Sequence, residues 1–269
     1  MKVVLFCGGL GMRLREYSES IPKPMVPIGP RPVLWHLMKY YAHYGHKDFI
    51  ICLGHGAGVI KNYFLNYNEC ESNDFVLEKG GEDLKLVTSD IQDWRITFVD
   101  TGLHANIGQR LLAVAKYVEH EEMFLANYSD GLTDLPLPKM IEEFSSNQHL
   151  TGMFACVRPR QSFHLVVMDD AQVVTSIEEM SKSGLYVNGG FFIFRGSIIR
   201  SIERGEELVH EPFDRLIKEK SLKGYPYHGF WMAMDTFKDK QNLEDLYGRG
   251  LAPWEVWKQR SVLGESRGA

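Results

Sequence analysis

Apolar and polar positions along this chain follow two periods in turn. The runs Lys2 to Cys7, Phe49 to Leu53, Ile96 to Val99 and Met123 to Asn127 are short and rich in β-branched or aromatic residues, as strands are. Between them, Val33 to Tyr44, Val59 to Tyr67 and Arg110 to Val118 carry the amphipathic spacing of helices. That alternation predicts βαβ units and a mixed, mainly parallel α/β sheet flanked by helices. Beyond about Leu150 the runs shorten, to Met153–Val157, Leu165–Met168, Val173–Ile177 and Gly190–Phe194, which predicts a small β extension. A helical region from about Thr236 to Lys258 follows. Between Asn66 and Arg95 the pattern is polar and weakly periodic, with Glu69, Glu71, Asn73, Asp74, Glu78 and Lys79, and reads as an exposed hairpin or a mobile insertion.

Ligands of parallel sheets gather at the carboxyl ends of the strands. The loop at Gly8, Thr101-Gly102 and Ser129-Asp130-Gly131 each follow an apolar strand, so they are expected to converge on one edge. The first of them reads as a phosphate grip. Gly8-Gly9-Leu10-Gly11-Met12-Arg13-Leu14 would let the backbone pass close to an anion, its amide N–H groups facing the phosphates. Arg13 adds a forked donor. Lys23, in Ile21-Pro22-Lys23-Pro24-Met25, adds a compact charge between two φ-restricted prolines. A dinucleotide fingerprint fails because position 14 is leucine where the third glycine belongs, and no Gly-Lys-Ser/Thr follows to make a Walker loop.

Composition narrows the class. The chain has 269 residues, 44% of them hydrophobic and 24% charged, which suits one globular unit with a sizeable core. No apolar run is long enough to span a bilayer, and the Met-Lys start leads directly into a strand without a signal-like segment, so a cytoplasmic protein is expected. A net charge of −5 argues against nucleic acid as a partner while leaving room for small anions in a local basic pocket. Cys7, Cys52, Cys70 and Cys156 form no Cys-x-x-Cys pair, which argues against a zinc site or a disulfide framework.

Gly-Gly-x-Gly-x-Arg-Leu followed by Pro-Lys-Pro-Met resembles the signature of sugar-1-phosphate nucleotidyltransferases. The similarity runs along almost the whole chain, through Pro32-Val33-Leu34-Trp35-His36, Lys47-Asp48-Phe49-Ile50-Ile51-Cys52, Val99-Asp100-Thr101-Gly102, Asn188-Gly189-Gly190-Phe191-Phe192 and Met234-Asp235-Thr236. Gly229-Phe230-Trp231 and the tail Ala252-Pro253-Trp254-Glu255-Val256-Trp257 favour the cytidylyltransferase branch over thymidylyl or uridylyl relatives. The resemblance implies a Rossmann-like fold in a single unit, 1–269, with a nucleotide-binding half to about residue 150 and an acceptor-binding part after it. It also implies transfer of a nucleotidyl group from CTP, or another nucleoside triphosphate, to a sugar 1-phosphate with release of pyrophosphate. Such a reaction brings two polyanions together, so it needs charge neutralisation and alignment more than a covalent nucleophile.

By that resemblance Asp130 and Asp235 hold Mg2+, which commonly takes only one or two protein carboxylates. Arg13 and Lys23 hold the triphosphate. Gly8, Gly9, Leu10, Gly11, Arg110 and Ser129 contact the nucleotide, and Glu178, Asn188, Gly189 and Trp231 the acceptor. From the residues alone, an Asp before Gly is more often a turn residue, an Asp before a helix more often an N-cap, and a Trp more often core packing. Related cytidylyltransferases set their insertion after residue 66 against a neighbouring subunit, which implies a homo-oligomer.

Four departures from the family pattern bear on substrate. Met12 replaces a threonine of the phosphate loop, Ile107-Gly108-Gln109-Arg110 replaces Thr-Gly-Gly-Arg, and Ser162-Phe163-His164 replaces Arg-Phe-Gly. Glu178-Glu179-Met180 stands where Glu-Lys-Pro places the lysine that grips the sugar phosphate. A carboxylate there would repel a dianion, which predicts either compensation by Lys182 or His164 or an acceptor other than glucose 1-phosphate. A different nucleotide base, or a catalytically weakened regulatory nucleotide binder, are the rival readings.

Overall fold

The computed structural model describes residues 1–9, 21–159 and 164–258. Among these residues one eight-stranded sheet forms the centre. Its strands in chain order are β1 (Lys2–Phe6), β2 (Asp48–Leu53), β3 (Arg95–Asp100), β4 (Phe124–Tyr128), β5 (Gly152–Val157), β6 (Val187–Asn188), β7 (Phe192–Phe194) and β8 (Leu222–Tyr227). Strand β1 lies between β2 and β4 and is parallel to both, with β3 continuing parallel beyond β2. Past β4 the direction changes: β7 runs antiparallel to β4, β5 antiparallel to β6 and β7, and β8 parallel to β5.

Strand β1 is apolar at every position from Val3 to Phe6 because both of its faces are covered. Val3 and Leu5 pack into one core with helix α1 (Val33–His43), while Val4 and Phe6 enter a second core with Leu111, Phe192 and Phe213. Burying each such side chain contributes about 2 kcal/mol, so the sheet is anchored from two sides. Helix α1 starts where Pro32 holds an extended backbone, φ −68° and ψ 155°, and Val33, Leu34, Trp35, His36, Leu37, Met38, Tyr40 and Tyr41 are buried. The chain leaves β1 toward β2 on one side and β4 lies on the other. The carboxyl ends of β1 and β4 therefore flank a switch point, where open α/β sheets hold ligands.

The later strand runs do not all form an appendage. Gly152–Val157 and Phe192–Phe194 join the central sheet as β5 and β7, and only the hairpin His164–Met168 with Val174–Glu179 stands apart. The reason is burial: Met153, Ala155, Phe192, Ile193 and Phe194 supply core side chains, whereas Val166, Val167, Met168 and Ile177 are exposed. The polar stretch after Asn66 forms the hairpin Phe75–Glu78 with Asp83–Leu86, also exposed. The helical region near the carboxyl end is confined to Phe237–Gly248, after which Leu251 to Lys258 is non-helical.

Candidate active site

Three distant segments meet at the carboxyl ends of β1 and β4. Lys23 leads a single 3-10 turn, Lys23–Met25, closed by Met25 N–H to the Pro22 carbonyl at 2.7 Å. Asp130 follows β4, and Asp235 precedes the helix Phe237–Gly248. A short ladder pairs Gly131–Thr133 with Trp231–Ala233, opposing Gly131 to Ala233, and Met234 N–H donates to the Asp130 carbonyl at 2.9 Å. That ladder brings the two aspartates together. The helix cap is Thr236, in a reciprocal box with Asp239, so the Asp235 carboxylate is spared the capping role that its position suggested. Instead Asp235 accepts from the Lys23 ammonium at 2.7 Å, and Asp130 accepts a close hydrogen bond from the same nitrogen. Burial opposes the Lys23 charge, yet the two carboxylates outweigh it and its pKa ends above the ordinary value.

A cleft of about 710 Å³ opens over this trio. Gly9, Lys23, Arg110, Ser129, Asp130, Asn188, Gly189, Trp231 and Asp235 all line it. Leu10, Gly11 and Arg13 lie outside the described residues, as do Met12, Ser162 and Phe163.

Gly8 and Arg110 are joined to each other within the frame of the site. The Arg110 guanidinium is buried and donates to the Gly8, Leu53 and Gly102 carbonyls at 2.9, 3.1 and 3.1 Å and to the Thr101 hydroxyl at 2.7 Å. It thereby ties the ends of β1, β2 and β3 together. A Cβ at Gly8 would fall 2.0 Å from Arg110 Nη1, so the glycine there makes room for a protein cation. At Gly9 an added Cβ would meet no atom of the described residues within 4 Å. Burial lowers the Arg110 pKa, but the ordinary value is so high that the guanidinium stays charged. Ser129 is also occupied internally, its hydroxyl donating to the Phe6 carbonyl at 2.9 Å.

On another wall of the cleft, where the resemblance implies the acceptor, Trp231 Nε1–H donates to the Gly189 carbonyl at 2.8 Å, which fixes the ring against the rim. The Asn188 side-chain oxygen accepts from Gly190 N–H at 2.9 Å, a turn bond, and its amide nitrogen lies 3.5 Å from the Tyr128 hydroxyl. Gly190 has φ +74°, and a Cβ there would meet the Asn127 side-chain oxygen at 2.4 Å. Glu178 is not among the residues lining the cleft: it sits exposed on the outer hairpin, opposite Leu165. Glu179 is on the same hairpin and pairs with Lys182 at 3.1 Å, whose hydrogen bond and charge lower its pKa. Glu179 is thus not among the described residues that line the cleft, and Lys182 is engaged by Glu179.

Sequence reasoning passed over several residues that line the cleft. Asn106 caps the helix Ile107–Ala113 in a reciprocal box with Gln109, and its Asn-x-x-Gln spacing was the available signal. Glu207 arrives from a segment 100 residues away and binds Ile107 N–H at 3.4 Å, which no local pattern announces. Burial pushes the Tyr128 hydroxyl up to about 12, so it stays a neutral donor. Cys52 is pushed up to about 12 and Cys7 higher still, both by burial, so neither thiol is a nucleophile.

The nucleotidyl transferase family pattern matches residues 2–240. Glucose-1-phosphate cytidylyltransferases of Salmonella typhi and Salmonella typhimurium are each 38% identical to this chain, over 96% of it and 100% of their own length. Among solved structures, a UTP-bound UGPase of Acinetobacter baumannii superposes with a TM-score of 0.68 at 17% identity, covering 98% of this chain and 99% of that one, a likeness of fold. Sheet order, the cleft at the switch point and these matches agree: the chain belongs to the nucleotidyl transferase family, among the sugar-1-phosphate nucleotidyltransferases.

Proposed function

We propose that this protein transfers a cytidylyl group from CTP to the phosphate of a sugar 1-phosphate, yielding a CDP-sugar and pyrophosphate. The observation that carries the reading is the convergence of Lys23, Asp130 and Asp235 at the floor of a cleft large enough for two substrates. An acceptor phosphate oxygen attacks the α-phosphorus, a new P–O bond forms, and the bond to the bridging oxygen of the pyrophosphate breaks. Lys23 and Arg13 offset the charge of the triphosphate, the former as a mobile ammonium and the latter as a fork. Arg110 keeps Gly8 and Gly9 in place and lends its charge through the loop. Trp231, Asn188 and Gly189 form the wall against which the acceptor rests.

Asp130 and Asp235 fit Mg2+ as ligands, since they are hard oxygen donors, already share a cation, and leave the remaining positions to water and phosphate oxygens. Bound there, the ion would lower the charge on the α-phosphate and the leaving pyrophosphate. Among the described residues no helix is long and apolar enough to cross a membrane, which accords with a cytoplasmic enzyme. The hairpin Phe75–Glu78/Asp83–Leu86 leaves Leu77 57% exposed, with nearby Val87 64% exposed, and such an apolar hairpin supports assembly of several copies. Sedimentation of the purified chain should give a mass above one subunit, and a purely monomeric boundary would end that part of the reading.

The test of activity is pyrophosphate release with CTP, UTP, dTTP, GTP and ATP, each against a panel of phosphorylated acceptors. CTP with glucose 1-phosphate should be the most rapid pairing. A different acceptor leading the panel would assign the specificity to the segments that depart from the family pattern, and silence across every pairing despite CTP binding would leave a regulatory nucleotide binder.

A further inference from the structure

The two candidate metal ligands are already bridged by a cation of the protein itself. Lys23 Nζ lies 2.7 Å from an Asp235 oxygen and binds an Asp130 oxygen closely. Two carboxylates and one ammonium sum to about −1, so among these three groups Lys23 offsets only part of the carboxylate charge. A divalent ion added beside the ammonium would meet a like charge within a few ångströms. The same ion in place of the ammonium would bring the carboxylates to neutrality and free one positive charge for the phosphates.

The geometry permits that exchange. The backbone at Lys23 is fixed by Pro22 and Pro24 and by the turn bonds Met25 N–H to Pro22 and Val26 N–H to Lys23, at 2.7 and 3.2 Å. Its four-carbon stem has rotatable single bonds, and the side chain keeps 15% of its surface open. Asp130 and Asp235 keep 22% and 40% of their side-chain surface open, so the pair is reachable from the cleft. Among the described residues lining the cleft, Lys23 and Arg110 are the cations, and Arg110 is committed to three carbonyls and a hydroxyl. Lys23 is the one whose partners can be replaced by an incoming ion.

Building on the nucleotidyl-transfer reading, we propose that Lys23 and the divalent ion occupy the Asp130–Asp235 pair in alternation, so that metal entry releases the ammonium toward the triphosphate. Lys23 is thus both the guard of the metal site and a ligand of the nucleotide. Metal and nucleotide then bind cooperatively through one side chain, because each favours the same position of the stem.

The test titrates Mn2+ into the full chain, with and without CTP, and reads free ion by electron paramagnetic resonance. Without nucleotide, Lys23→Met should bind Mn2+ at least tenfold more tightly than the unaltered chain, and CTP should strengthen its Mn2+ binding by a smaller factor. Equal or weaker Mn2+ affinity in Lys23→Met would overturn the exchange. Asp130→Asn distinguishes that failure from failure of the metal site. If it weakens Mn2+ binding in the presence of CTP while Lys23→Met tightens nothing, only the exchange falls; if it changes nothing, the assigned ligands fall, and the exchange with them. Should Lys23→Met not fold, the unaltered chain carries the test: Mn2+ alone should speed acetylation of Lys23 by acetic anhydride, read by peptide mass spectrometry, and an unchanged rate would count against the proposal.

Discussion

At the residue scale, the cleft separates side chains that face it, such as Lys23, Asp130 and Asp235, from those that hold its frame, such as Arg110. Asp235→Asn should lower turnover about a hundredfold, as loss of one charge-stabilising group commonly does, with little change in the unfolding midpoint. Steady-state pyrophosphate release beside a urea melt checks both halves of that expectation. Arg110→Met should do the reverse first: the Gly8, Leu53 and Gly102 carbonyls lose their donor, and stability should fall by about 3 kcal/mol in urea unfolding. Lys23 was legible from its place between two prolines, whereas Asp130 and Asp235 were legible only through the family resemblance, since from the residues alone they read as a turn residue and an N-cap. Glu207 was not, since only the folded chain carries it to Ile107. Glu178 is placed at the acceptor by the family motif alone, and none of the described residues of its hairpin is among those lining the cleft.

At the element scale, the two periods of hydrophobicity mark β1, β2, β4 and α1 most clearly because those strands are buried along nearly their whole length and the helix buries eight of its eleven residues, whereas β3 is only half-buried. Strand β8 escaped notice for the opposite reason. Its sequence Leu222-Lys223-Gly224-Tyr225-Pro226-Tyr227 is only half-buried, and a proline is tolerated because β8 pairs with β5 alone among the described strands. The helix Phe237–Gly248 illustrates how an element serves the site. Its Thr236–Asp239 box sets where the helix begins and hence where Asp235 stands. Thr236→Ala should cost about 1 kcal/mol of stability and weaken metal-dependent CTP binding several-fold, measurable by calorimetry, while Thr236→Ser should restore both.

At the scale of the whole molecule, the segment after Leu251 closes the core beneath the sheet. Trp254 is fully buried and donates from Nε1 to His36 Nδ1 at 3.2 Å, and His36 Nε2 lies 2.9 Å from the Ile28 carbonyl. The ring must be neutral to accept from Trp254, and burial pulls its pKa down to about 4 from an ordinary 6.5. Between those values the unfolded chain binds a proton that the folded chain refuses, so this contribution is complete above pH 6.5 and drains away as pH falls toward 4. The loss should reach about 3 kcal/mol. Urea midpoints between pH 7 and 4.5 would follow it, and His36→Gln should flatten the slope while lowering the value at pH 7. Asp90, whose ordinary value of 3.8 is lowered despite burial by bonds from Ser72, Lys39 and Tyr67, loses its share only below this window. The buried Trp254 ring also bears on the order of synthesis. It shares one core with Met25, two residues past Lys23, and with Leu5 and Leu53 under the cleft, although it is made more than two hundred positions later. A nascent chain arrested before Trp254 leaves the ribosome with that core open, and competence to bind nucleotide should arise only once the ring has emerged and docked.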